Sequence, residues 1–424
     1  MLIWLSSSAF VITLFSGLLL STPVFAAHLV AIPVSAPNAV EYLQTSNGYW
    51  SLNQLCGLAV PLILLLSGQS ARIYGACLRV AGQRKIVGLS LFAALFFLLD
   101  RLLRVPVNYC WERAYENAVG EPAQAFAPWL LSHMSEGLVL VIGLTVVTLC
   151  VNGLMRKSPA RWWLWATGIV SLFVLAVLLL EPFTQNTKPL GTSRLEQRVA
   201  DLAAQVGIPR RAIVTQHCEP ASACPPGRVI GLGPTRMMIL NEMRLTQNPE
   251  AWTLQMVAHE SKHFALDDNI KAFYLLSGLS LCALLLVKMS GEFIVARWSR
   301  RVGFSTLAHP ASLPLVVLIL NGFYLVALPP VNAFRQQVEL EADRFALELN
   351  RDNEAQSQMI ASWVDQKSNV SEWNMFFKLF RASHPSVATR ITLSNTYRPW
   401  QAGKPLVYER DFQRLKQKNI ADGL

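Results

Sequence analysis

The sequence predicts a mainly α, polytopic membrane protein that carries a small α+β unit outside the bilayer. Three observations carry that reading. Hydrophobic residues make up 52% of the 424 and charged residues only 15%, and mean hydropathy is +0.34, a balance suited to lipid rather than water. Apolar stretches of about 20 residues recur, each long enough as a helix to cross a hydrocarbon layer. Residues 182–270 then turn polar and mixed in pattern.

The net charge of +10 does not point to nucleic acid. The basic residues sit in short segments flanking apolar spans, as membrane topology requires, so a lipid bilayer is the expected partner and nucleic acid is excluded. Of seven cysteines, Cys56, Cys150 and Cys282 lie in or beside apolar spans and read as packing residues. Cys218 and Cys224 bracket a polar segment, where a local disulfide and two separate thiols are both open.

Taken in order, residues 2–20 are apolar and uncharged, and Val24 and Ala26 would suit signal-peptidase cleavage, so a cleaved signal and a retained span are both open. Residues 21–54 contain no Lys or Arg. Further spans are predicted at about 49–68, 86–105, 129–152, 162–181, 271–289 and 311–330, giving seven, or six after cleavage. The 86–105 span ends in Asp100, Arg101 and Arg104 and should continue as helix into water; the loop before the next span covers 106–128. His133 and Glu136 sit where the fourth span begins, facing a wet interior or the interface. The chain thus divides into a membrane region at 1–181, a soluble part at 182–270, two spans at 271–330, and a C-terminal segment at 331–424.

Within the soluble part, Leu195, Val199, Leu202 and Val206 stripe one face of a helix. Short strands are predicted at 212–215, 228–231 and 237–240, and Pro249-Glu250 opens a further helix. That helix carries His259-Glu260-Ser261-Lys262-His263. Histidines four apart share a helix face, so both rings can reach one Zn²⁺, with Glu260 offset to act on water. Strands feeding such a helix are the layout of a zincin-type metalloprotease.

A third protein ligand is expected from Glu339, on a helix predicted over 334–350 as an extension of the last span. Asp343, one turn on, can accept the N–H of a ligating histidine and fix its orientation, whereas Glu341 points to another face. A Zn²⁺ held by His259, His263 and Glu339 keeps a position open for water, and Glu260 is the expected general base. An oxyanion needs a further donor, for which His384 and Arg390 are the candidates, although by spacing alone His384 also reads as a surface histidine. Trp363, Trp373, Phe376, Phe377 and Phe380 read as core packing. No Gly-x-Ser-x-Gly elbow or nucleotide-binding loop appears.

With these residues in view, the chain resembles the integral-membrane zinc endopeptidases that include the CAAX prenyl protease and the bacterial heat-shock membrane proteases, most closely the prenyl-protease branch. The likeness runs through Val105–Leu130, Gly231–Leu240, the HExxH helix, Glu339–Ala346, Ser371-Glu372-Trp373 and His384-Pro385…Arg390. It implies seven helices around a water-filled chamber, and a peptide or protein substrate added as a strand to the small sheet. It further implies Asp268 as a polar partner near the metal, with His384 and Arg390 contacting substrate and oxyanion. The chain departs at Pro226-Gly227, where the family has Asn-Ala, and at Lys262, where the family has glycine.

Basic residues cluster after the second span (Arg72, Arg79, Arg84, Lys85), between the fourth and fifth (Arg156, Lys157, Arg161), and between the sixth and seventh (Lys288, Arg297, Arg300, Arg301). The positive-inside rule therefore puts the zinc side outside the cytoplasm, in a bacterial inner membrane, whereas the prenyl-protease branch has it facing the cytosol. The function expected is proteolytic processing or quality control of membrane or exported proteins. The alternatives are a non-catalytic adaptor retaining the metal and a transporter, the latter without the paired interrupted helices it needs.

Overall fold

The computed structural model describes residues 29–218, 224–364 and 369–421. The expected span at 2–20 and its cleavage site lie outside them. Among the described residues, six helices are long and apolar enough to cross a membrane. The membrane part begins with α1 (Pro37–Leu66), the short α2 (Gln69–Val80), α3 (Lys85–Val119), α4 (Phe126–Lys157) and α5 (Trp162–Thr184). Between α1 and α2 the chain turns through Gly68 at φ +67°, a left-handed conformation that glycine adopts without strain.

The stretch at 21–54 is helical from Pro37, ahead of the span expected at 49–68. The 86–105 span continues as helix, as expected, and runs to Val119, where Gly120 ends it in a left-handed cap, so most of the loop at 106–128 is helix. Both helices outrun their apolar cores, because hydropathy reports where lipid ends and not where backbone hydrogen bonding ends. The extra turns are used. Arg381 donates to Ser46 and Asn47 of α1, Trp50 packs its ring against Phe376 and Phe380, and Asn38 donates to the carbonyl of Ala118.

Polar side chains of the bundle face one another. Asn53 donates to Asn108 at 2.9 Å, Arg104 pairs with Asp100, and Arg101 donates to the His133 carbonyl at 2.7 Å. A cavity of about 340 Å³ adjoins them, lined by Tyr42, Trp111, Glu112, Trp129 and His133. His133 thus faces the protein interior, stacked on Trp129.

The soluble unit follows: β1 (Lys188–Pro189), α6 (Arg194–Ala204), β2 (Ile213–Gln216), β3 (Gly227–Ile230), β4 (Met237–Asn241), α7 (Glu242–Gln247) and α8 (Glu250–Ala265). A reciprocal cap starts α6, with Ser193 accepting from the Glu196 N–H and Glu196 from the Ser193 N–H. The sheet order is β1-β2-β4-β3, with β2 parallel to β4 and β3 antiparallel to it as an outer strand. The two-residue β1 is too short to leave a sequence signal. A disulfide joins Cys218 to Cys224, with Cα atoms 6.3 Å apart, and ties the end of β2 to the start of β3.

The chain then re-enters the bundle through α9 (Asp268–Val302) and α10 (Leu313–Asn350), closing with α11 (Asn353–Ala361), α12 (Met375–Phe380), α13 (Val387–Thr396) and α14 (Glu409–Ala421). The last span and the third-ligand helix are one continuous element, as expected. One core joins the sheet to both site-bearing helices: Ile213, Met238 and Leu240 meet Leu254, Val257 and Ala258 of α8, then Phe345 and Ala346 of α10. Burying that much apolar surface on both flanks of α8 fixes its rotation and therefore the direction of its histidines.

Candidate metal centre

The apolar residues of α8 leave one face for chemistry. His259 and His263 occupy it, with ring centroids 5.1 Å apart and Nε2 atoms 3.4 Å apart. Glu339 approaches from α10, one carboxylate oxygen 3.3 Å from His259 Nε2 and the other 3.8 Å from His263 Nε2. These three form the one group of potential metal donors found among the described residues, with donor atoms within 4.8 Å of one another. A tetrahedral zinc with bonds of about 2.0–2.1 Å holds its ligand atoms roughly 3.3–3.4 Å apart, so the donor set fits such an ion in both chemistry and spacing.

Each ring is held from behind. His259 Nδ1 donates to Asp343 at 3.0 Å, and His263 Nδ1 donates to Asp268 at 2.7 Å, which turns both Nε2 atoms toward the shared point. Asp343 is in turn gripped by Arg390, whose Nε and Nη2 donate at 2.7 and 2.6 Å. Burial would push the His259 pKa down, but the bonds to Asp343 and Glu339 outweigh it and raise the value to about 9 in the metal-free site.

The sequence expectation for Arg390 changes. Its guanidinium is buried, lies over the Trp363 ring at 4.7 Å, and spends its fork on Asp343. Bidentate pairing to a carboxylate makes it a support for His259 and not a donor aimed at substrate. His384 is different: its side chain is half exposed, and Nε2 lies 3.6 Å from Glu339. Burial, aided by Arg390 and His259, holds its pKa below the usual value despite Glu339.

Glu260 lies beside the outer strand. A Cβ placed on Gly227 would stand 3.0 Å from Glu260 Cγ, so the strand backbone approaches the carboxylate as closely as glycine allows. Spacing alone could not single out Gly227, although it lies in the Pro226-Gly227 departure already noted. Lys262, the other departure from the family pattern, is wholly buried and donates to Asp268.

A polytopic bundle bearing two imidazoles and a carboxylate around one point defines a class, the membrane metalloproteases. Comparison with known sequences makes it particular. Residues 189–395 match Peptidase family M48, and residues 36–185, which hold α1–α5, match the CAAX prenyl protease N-terminal region of five membrane helices. The chain belongs to this CAAX prenyl protease-like family of membrane metalloproteases. The "Uncharacterized metalloprotease YhfN" of Bacillus subtilis (strain 168) is 24% identical over 362 residues, spanning 80% of this chain and 82% of that protein. The crystal structure of S. mikatae Ste24p shares the fold, with a TM-score of 0.68 at 15% identity, over 88% of this chain and 93% of that one.

Proposed function

We propose that the protein is a zinc endopeptidase that cleaves membrane or exported proteins on the extracytoplasmic face of a bacterial inner membrane. The convergence of His259, His263 and Glu339 supports this most strongly. A zinc ion bound there would acidify a water and polarise the scissile carbonyl. Glu260 takes the proton of the attacking water and returns it to the leaving amine. His384, beside Glu339, hydrogen-bonds the developing oxyanion. Asp343 and Arg390 keep His259 in its tautomer, and Asp268 does the same for His263. The outer edge of β3 offers backbone groups along which a peptide can lie as a fifth strand.

The orientation draws on two independent features. The basic residues flank the loops joining α2 to α3, α4 to α5 and α9 to α10, on α2 and at the adjoining helix ends for the most part, at the end of the bundle opposite the metal centre. The Cys218–Cys224 disulfide belongs to an oxidising compartment. Thiol labelling of these cysteines in intact cells after reduction tests the assignment, and labelling only after lysis overturns it.

For the chemistry, purified protein should carry about one zinc per chain. Glu260→Gln should lower proteolysis of unfolded casein by about 10²–10⁴-fold while retaining the metal. Cleavage surviving that substitution removes Glu260 as the base. A metal-replete wild type inert on casein and on its own membrane's proteins restores the adaptor reading.

A further inference from the structure

Lys262 stands between the two histidines on α8, and its side chain is fully buried. We propose that Lys262 is a positioning residue of the metal centre, doing for His263 what Arg390 does for His259; this rests on the zinc reading above. Burying an ammonium forfeits its hydration, so its partners must answer for it. Nζ donates to Asp268 Oδ2 at 2.8 Å and to the Val338 carbonyl at 3.0 Å, and pairs with Glu341 at 3.5 Å. Two hydrogen-bond acceptors and a further carboxylate at ion-pair distance thus surround the ammonium.

Two consequences follow from where those acceptors lie. Asp268 Oδ2 is the same oxygen that accepts from His263 Nδ1 at 2.7 Å, so Lys262 fixes the carboxylate that orients the ring. The arrangement parallels the other histidine, where Asp343 Oδ1 accepts from both His259 and Arg390. Each ring is backed by a carboxylate, and each carboxylate by a buried cation. The bond to Val338 adds something Arg390 does not supply. It ties α8 to α10 one residue before Glu339, and so sets the gap between the histidine pair and the third donor. Lys271, the other cation on Asp268, takes the opposite oxygen, is largely exposed, and reaches no part of α10.

The test is zinc affinity of the full-length, detergent-solubilised protein, measured by chelator competition, together with the visible spectrum of its Co²⁺ form. Lys262→Met should weaken zinc about 10–100-fold and shift the cobalt bands, because ligand geometry changes. If Lys262 acts through Asp268, then Lys262→Met added to Asp268→Asn should cost less than about threefold more, the signature of coupled neighbours. Wild-type affinity with an unchanged cobalt spectrum in Lys262→Met overturns the proposal, as do additive losses in the double variant. Should Lys262→Met not fold, Lys262→Gln, which removes the charge and shortens the reach by one atom while sparing some polarity, should weaken zinc by less than Lys262→Met is expected to, with the cobalt bands still shifted; an unchanged cobalt spectrum there overturns the proposal. A wild type that takes up no zinc overturns the metal centre itself, and this inference with it.

Discussion

The membrane bundle and the soluble unit are built inside out with respect to each other. In the bundle, large apolar side chains point away from the protein: Val139 is 72% exposed and Phe173 68%. The polar groups turn inward, where Asn152 donates to the Ala308 carbonyl and Asn321 to that of Gly57. In the soluble unit, Val257, Ala258, Met238 and Leu240 are fully buried. Charge enters that interior at the metal centre, where the buried ions are paired, and at Glu348, whose carboxylate accepts from the Tyr397 hydroxyl and the N–H groups of Val407 and Tyr408. Apolarity in a sequence therefore reports preference for a medium, and the medium differs between the halves.

The contrast is broken most forcefully by putting charge on the wrong side of the bundle. Val139 lies near the middle of α4 and faces outward, so Val139→Arg should cost about 2.5–3.5 kcal/mol of membrane insertion. The readout is a fall in the inserted fraction, with proteolysis per inserted molecule unchanged, since the site lies in the other half.

A second test separates the metal centre from the apolar core around it. The His259 pKa rises from 6.5 to about 9 in the metal-free protein. A raised folded-state pKa stabilises fully below the unfolded value and is lost as pH climbs through the folded one. Metal-free protein should thus lose stability on the order of 3 kcal/mol between about pH 6.5 and 9. Metal-loaded protein should show no such slope, because the ion takes the Nε2 position that the second proton would occupy while Nδ1 keeps its own. Denaturant titrations of both forms across that window check it, and parallel slopes would sever the link to His259. Arg390→Met should then weaken zinc about 10–100-fold by freeing Asp343, with the helix content of the bundle unaltered by circular dichroism.

What the sequence could show follows from the same contrast. Long apolar runs revealed the span helices within the described residues, because lipid demands uniform apolarity over about 20 residues. Strands β2, β3 and β4 fall within about a residue of their predicted places, and a four-residue spacing brings His259 and His263 onto one face. The helical turns at 37–48 were hidden because they are polar, although their backbone bonds no differently, whereas the continuation beyond residue 105 was legible and only its length was not. Lys262 stood out as a departure from the family's glycine, but its partners did not, because only the fold brings Asp268 and the Val338 carbonyl to it. Arg390 was legible as a site residue but not in its direction, which depends on α13 packing its guanidinium against Trp363.

The smallest expected effect lies where the two halves of the chemistry, base and substrate strand, touch. Gly227→Ala puts a methyl 3.0 Å from Glu260 Cγ, closer than ordinary packing, so the carboxylate must yield by a few tenths of an ångström. A shift of about 1 Å in a reacting group can cost roughly 10²-fold, and a fraction of that should cost several-fold in kcat. Zinc affinity should not move, because Glu260 is no part of the donor group formed by His259, His263 and Glu339. The larger Gly227→Val should displace the start of β3 as well and raise KM for peptide substrates, separating the seat of the base from the edge that holds the chain. Equal loss of zinc in both variants would mean that Gly227 supports the fold of the sheet and not the placement of Glu260.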